Sequence, residues 1–485
     1  MQSKHIAFAG LCLGFFILIM DTTTVPLLYP RLMDVFHVTP AGAAWVNNVY
    51  LITYAAFLLL GGRLGDSTNR KTVVQLAYLA LGAGAALAGA GQSLMAVIVG
   101  RAVMGVGAGL LTPQTMGYIS ILFAQGGRGA ALGIWASVAG TAAATGPVVT
   151  QLFLATLDWR WVMWVNVPVA LICFGVASFS LPSVPGRGIV ARDTAVSGLC
   201  GLGVAVAVAG VQLIVVSRSP VSLGGALLAL GAATTAALVV VELKKNGRSI
   251  LPPELWRDSS FLRTSLISGL LGFGLTGVYL PLVFLLDARL HFGHAAIGAL
   301  MTICPIANAL VGPFAGRLSD RMEPERIIRL GLTLFAIANV SYGVVGLVSP
   351  SKVVALIALG ATMAVAGSGT GLAFAPLANL ALARAQRENV GQAASFFNAS
   401  RQLMSALGGV LSAIVFDTIA RAQLGAGGAV TVEALRSSPS AVASPAFACF
   451  ALNAAGLALG AYVASRSKRT NPEVSMSLEA EVETL

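Results

Sequence analysis

Fourteen stretches of this chain each stay apolar for about twenty residues, the length a helix needs to cross the hydrocarbon core of a bilayer. They run over 6–29, 43–62, 72–92, 95–116, 129–153, 161–181, 194–216, 221–242, 261–286, 295–316, 328–348, 352–376, 391–416 and 444–465. Lipid offers no partner to a bare backbone amide, so runs of this length are predicted to be helices. Only 10% of the 485 residues are charged and 56% are hydrophobic, whereas a soluble chain carries about a quarter charged residues. That leaves too little polar surface to coat a water-soluble protein. The 55 glycines suit helices whose backbones approach closely inside a membrane.

The positive charge is placed for orientation. With the N-terminus in the cytoplasm, 21 Lys and Arg residues fall in inside segments and 7 in outside ones, with Arg101 and Arg401 inside spans. This three-to-one bias predicts both termini inside. The net charge of +11 is spread over short loops with no interleaved aromatics, so nucleic-acid binding is not expected. The N-terminal run after Lys4 and His5 continues to about Tyr29 without a small-residue cleavage site, and reads as an uncleaved first span.

Cys12, Cys173, Cys200, Cys304 and Cys449 all lie in apolar segments, which suits packing rather than a disulfide or metal site. His291 and His294 have an i, i+3 spacing but no third ligand, so no metal is expected. No nucleotide-binding motif, His or Cys cluster or pair of catalytic carboxylates is present, and an enzyme is not predicted.

An internal repeat divides the chain. Gly62-Arg-Leu-Gly-Asp66 precedes Arg70-Lys71 after span 2, and Gly316-Arg-Leu-Ser-Asp320-Arg321 precedes Arg326 after span 10. Repeated halves are a recurring construction of secondary transporters, with the binding site near the midplane. The expected organisation is an N-terminal six-helix half (1–181), a two-helix insert with linkers (182–260), a C-terminal six-helix half (261–465) and a cytoplasmic tail (466–485). The outer stretch from Asp417 to Ala443 is a hairpin, an amphipathic lid or a passive connector.

Several motifs together resemble the fourteen-span drug:proton antiporter family of the major facilitator superfamily. They are Met20-Asp21 through Tyr29-Pro30, Trp45-Val46 with Gly62 to Lys71, Arg101 with Gly105 and Gly107, and Gly140 with Gly146-Pro147. Trp159-Arg-Trp161 with Asn166-Val-Pro168, and Ser400-Arg-Gln-Leu403, complete the set. Five positions depart from that family's usual pattern: Ser67, Asn69, Met104, Thr150 and Gln151. The resemblance implies an all-α membrane protein with the major facilitator fold, fourteen helices in all. It implies export of small amphipathic compounds by alternating access, driven by the proton gradient, by a monomer without cofactor in a bacterial inner membrane. A transporter dedicated to one metabolite, natural product or siderophore is the alternative.

Asp21 is the most informative residue, because every other acid lies in a loop, a tail or near a span end. A carboxylate inside a span is costly and is a functional candidate by default. Burial disfavours its charged form and a nearby cation favours it, so alternation between those settings moves a proton. Asp21 lies about 12 Å from the outer end of span 1 and Arg101 about 9 Å from that of span 4 at 1.5 Å per residue. The matching depths make Arg101 its candidate partner. Arg401, about 15 Å from the inner end of span 13, pairs with either an anionic substrate group or helix-end carbonyls. Gly140, Gly146 and Pro147 are expected to bend span 5, and the resemblance associates that bend with export. Gly62, Asp66, Arg70 and Lys71, with Asp320, Arg321 and Arg326, are candidates for a charge latch that breaks and reforms with access.

Overall fold

The computed structural model describes residues 2–123, 128–186, 221–243, 258–319, 321–383, 390–425 and 430–466, with a few positions between 196 and 210. The predicted span at 194–216 therefore lies largely outside the described residues, as do Asp320 and the tail beyond Arg466. Every element described is helical.

The first span is α1 (Gln2–Thr24), followed by a 3-10 turn at Val25–Leu28 and α2 (Tyr29–Phe36). Pro26 and Pro30 lie at the starts of the last two, where a missing amide costs little. The segment thus extends to Phe36, beyond the predicted end at 29, and stops at His37 in the left-handed region (φ 51°). There follow α3 (Pro40–Ser67), α4 (Arg70–Ala90), α5 (Leu94–Leu122), α6 (Arg128–Thr156), a short α7 (Trp161–Trp164) and α8 (Asn166–Ser180). Next come α9 (Val221–Leu243), α10 (Ser259–Gly277), α11 (Tyr279–Phe284) and a π-turn at Leu285–Arg289. The chain continues through α12 (His294–Ser319), α13 (Pro324–Val348), α14 (Lys352–Ala383), α15 (Val390–Leu424), α16 (Val432–Ser437) and α17 (Ser440–Ser465).

Side-chain caps set several starts. Thr39, Asn69, Ser93 and Asp258 accept from amides in the first turns of α3, α4, α5 and α10, satisfying donors that the helix leaves free. Eleven helical segments among the described residues are long and apolar enough to cross a membrane. The predicted spans 2 and 8 correspond to α3 and α9, which lie outside that eleven; in α9 the apolar part is the shorter Leu223–Leu238.

Two groups of helices pack side by side. In one, α1 lies on α6 and α8, and α5 on α3 and α4; in the other, α15 and α17 flank α10, and α14 lies on α12 and α13. They meet where α3 packs on α15 and α6 on α12. One close approach recurs in both groups. A Cβ on Gly84 of α4 would sit 2.6 Å from the carbonyl oxygen of Gly100 on α5, and one on Gly331 of α13 would sit 2.5 Å from that of Gly369 on α14. Only glycine lets these helix pairs touch backbone to backbone.

The ends carrying Arg70, Arg317 and Arg326 form a basic face. At the opposite, far face a single buried apolar cluster joins both groups: Val25, Leu28 and Leu32 meet Leu282, Leu286 and, from α16, Leu435. A second cluster is built mainly from α1, α3, α4, α5 and α8, with Ala406 and Val410 of α15. Burial of this kind, roughly 1.5–3 kcal/mol per large apolar side chain between water and the interior, holds the two groups together.

Candidate functional site

Asp21 and Arg101 face each other inside the first helix group. Arg101 Nη1 donates to Asp21 Oδ2 at 2.5 Å, and the two side chains are 0% and 2% exposed. Arg101 is held on three further sides. Its Nε donates to the Val46 carbonyl on α3 at 3.1 Å, and its guanidinium lies 4.3 Å from the Tyr50 ring centre. Nη1 also approaches Met104 Sδ at 3.5 Å, which places one of the five departing residues beside the arginine. Among the described residues, Asp21 Oδ1 and Arg101 Nη2 have no hydrogen-bond partner. The pair is therefore strongly bound but incompletely satisfied, the condition in which a proton or a shifted helix changes its energy most.

A narrow crevice borders Asp21, lined by Ile17, Leu18, Tyr50, Leu81, Met104 and Asn166. Asn166 turns its amide back onto the carbonyls of Val162 and Met163 and makes no bond to the carboxylate. Breaking such a pair from one side strands a buried charge and costs about 3–5 kcal/mol.

The span 5 motif bears on the same place. A Cβ on Gly146 would come within 2.9 Å of the Met20 carbonyl oxygen and would strike Thr23 Oγ1, so α6 rests directly on the turn of α1 that carries Asp21. Gly140 makes the other close approach of α6, to Ala309 of α12. Pro147 lies inside α6 without ending it.

Arg401 occupies a different setting. It lies 4.7 Å from the Phe374 ring centre, donates from Nη2 to Asn398 at 2.9 Å, and is within electrostatic range of Tyr54. Tyr54 stands one helical turn from Tyr50 on α3, with ring centres 5.9 Å apart, and its hydroxyl bonds Thr112 at 2.8 Å. A tilted tyrosine pair thus runs from the Arg101 side to the Arg401 side.

The basic-face residues are engaged locally. Lys71 donates to the Ser178 carbonyl in the last turn of α8 at 2.7 Å, a cation on a helix C-terminus. Arg70 runs along α5 beside Gly117. Arg326 pairs with Glu323 at 2.7 Å, and Arg321 is exposed in the turn before α13. The Asp66 side chain lies outside the described residues, and Gly62 faces Ser395 of α15.

Three contacts are not apparent from sequence. Gln151, one of the departing residues, bonds His294 Nδ1 across the α6–α12 contact at 2.8 Å. Asp287 receives both contacts of Arg436 Nη2 at 3.0 Å, tying α16 to the π-turn. The Tyr50–Tyr54 pair is the third, and its i, i+4 spacing in α3 is the one signal that a pattern search would have found. Among the described residues no group of His, Cys, Asp or Glu could hold a metal ion.

The sequence model of the Major Facilitator Superfamily matches residues 11–409. The chain belongs to the major facilitator superfamily. It is similar to an uncharacterized transporter of the superfamily from Mycobacterium tuberculosis, 29% identical over 82% of this chain and 68% of the relative. It is also similar to the puromycin resistance protein of Streptomyces alboniger, 29% identical over 81% of this chain and 78% of that one. Among solved structures, an auto-inhibited peptide transporter of the POT family shares the fold, with TM-score 0.69 at 17% identity, covering 97% of this chain and 98% of that one. This superfamily member is a multi-pass membrane transporter of small molecules, not an enzyme.

Proposed function

We propose that this major facilitator protein exports small amphipathic compounds in exchange for protons, with Asp21 as the proton-binding group. The observation that carries the reading is the sealed Asp21–Arg101 pair between α1, α3 and α5. A proton on Asp21 would remove its charge and loosen α1 from Arg101, which keeps its hold on Val46 and Tyr50. Gly146 transmits that change, because α6 rests on the turn containing Asp21 and, through Gly140, touches α12 of the other helix group. Movement of α6 against α12 is then the access step.

The same reading takes the chain as two six-helix halves, 1–181 and 261–465, around a two-helix insert at 182–260, with a tail at 466–485. The recurring glycine contact of α4 on α5 and of α13 on α14 supports two equivalent halves. Gly62, Asp66, Arg70, Lys71, Asp320, Arg321 and Arg326 gate the basic face, which we assign to the cytoplasm of a bacterial inner membrane with both termini inside and the protein acting as a monomer. The joint apolar cluster at the far face supports a carrier closed to the outside. The puromycin resistance protein supports export as the direction.

The test uses inverted vesicles, an imposed pH gradient and a panel of dyes, biocides and antibiotics. The expected result is uptake that collapses with a protonophore and is lost in Asp21→Asn. Uptake that survives Asp21→Asn removes Asp21 as the proton site, and no gradient-driven uptake of any panel compound by folded, inserted protein removes the exporter.

A further inference from the structure

We propose that Arg401 docks an anionic group of the transported compound, so that this carrier's substrates are amphipathic organic anions. The proposal rests on the exporter reading above and adds the charge class of its cargo.

Asp21 is occupied by Arg101, Asp417 by Arg421 at 2.8 Å, and Asp287 by Arg436 at 3.0 Å. Asp21, Asp417 and Asp287 therefore each already have a cation. Arg401 has none: among the described residues it makes no ion pair. Yet it sits 11 residues into α15, about 16 Å from the basic face at 1.5 Å per residue, near mid-depth of the bundle. A guanidinium at that depth is expensive unless something answers its charge.

What surrounds Arg401 orients it without neutralising it. Asn398 accepts from Nη2, Phe374 lies under the guanidinium plane, and Gly272 of α10 lets the stem lie close, since a Cβ there would come 2.9 Å from Arg401 Cγ. Nε and Nη1 make no hydrogen bond among the described residues, and the side chain as a whole is half-buried. Two donors in a rigid planar fork, fixed from one side and free on the other, match a carboxylate, sulfonate or phenolate oxygen set. Phe374 and Tyr54 offer the apolar walls that an amphipathic anion needs beside its charge. At Arg401 a cationic compound would meet a guanidinium, with no carboxylate among the described side chains that contact it. Export of an anion also suits the membrane potential: a monoanion leaving while one proton enters moves two positive charges inward, so both steps run downhill.

The test measures binding to the purified full-length protein in nanodiscs by fluorescence anisotropy. The probes are fluorescein, an anion, and rhodamine 123, a cation on the same ring scaffold. The wild type is expected to bind fluorescein at least tenfold more tightly than rhodamine 123. Arg401→Gln should weaken fluorescein at least tenfold, with Arg401→Lys between, because an ammonium keeps the charge and loses the fork. Asn398→Ala, which removes only the orienting acceptor, should weaken fluorescein about threefold against the wild type and leave rhodamine 123 unchanged, and an unchanged fluorescein affinity there overturns the proposal if Arg401→Gln fails to fold. Rhodamine 123 bound as tightly as fluorescein, no saturable fluorescein binding, or an unchanged affinity in folded Arg401→Gln would each overturn the proposal. Asp21→Asn separates the two readings. It should keep fluorescein binding while losing gradient-driven uptake. If the wild type shows Arg401-dependent fluorescein binding but no gradient-driven uptake, the anion site stands and proton-driven export falls.

Discussion

Two arginines lie deep in the spans, and they are held in opposite ways. Arg101 is sealed, 0% exposed, and bound to Asp21, the Val46 carbonyl and the Tyr50 ring. Arg401 is half-buried and held by a neutral amide and a phenyl ring. A charge that is fully answered by its own protein is suited to switching on a proton. A charge left open on one side is suited to meeting a ligand. Tyr50 and Tyr54, tilted against each other one turn apart on α3, stand between the two settings.

The largest expected effect breaks the sealed side. Arg101→Leu strands the Asp21 carboxylate in the interior and is expected to cost about 3–5 kcal/mol of stability, read as thermal unfolding in detergent. Asp21→Asn combined with Arg101→Leu should recover part of that loss, because the two sites share one interaction. Arg401→Gln, on the open side, should leave unfolding nearly unchanged and act on ligand affinity instead. Equal destabilisation by both arginine variants would erase the distinction.

Next in size is the contact that links the sealed pair to α6. Gly146→Val places side-chain atoms against Thr23 and the Met20 carbonyl, and overpacking of that kind costs about 1–3 kcal/mol. Gradient-driven uptake should fall more than ligand binding does, which a Kd measured beside the uptake rate would check. Tyr54→Phe removes the hydroxyl bond to Thr112, a loss of about 1 kcal/mol. Because it touches neither arginine's own hydrogen bonds, it should weaken coupling between binding and uptake while sparing each alone. Smallest is the half-exposed Asp287–Arg436 pair at the far face, with side chains 15% and 49% exposed. A double-mutant cycle on it should give about 0.2–1 kcal/mol.

The helices were legible because a span is written in plain composition, and Asp21 because an acid in an apolar run has no other context. Even its partner could be located, since helix rise converts residue number into depth. What stayed hidden depends on rotation. Helices apolar on all sides carry little periodicity to show which face meets which neighbour. For that reason the contact of Gln151 with His294 was invisible, and Gln151 read only as a departure from a motif. The outer stretch from Asp417 to Ala443 left a hairpin, an amphipathic lid and a passive connector open. Its helix α16 buries Val432 and Leu435 in the shared core and ties Arg436 to Asp287. Those partners lie far away in sequence, where no local pattern reaches. The first span also runs past its predicted end at 29, through a 3-10 turn that starts at Pro26 and a helix that starts at Pro30, to Phe36.

The measurement that tests the central claim most directly compares two activities of Asp21→Asn in one proteoliposome preparation, using a panel compound that the wild type carries. One is exchange of labelled for unlabelled compound without a gradient, and the other is accumulation driven by an imposed pH gradient. If the Asp21–Arg101 pair is the proton switch, exchange stays within a few-fold of wild type and accumulation is lost. Accumulation by Asp21→Asn at the wild-type level would contradict it.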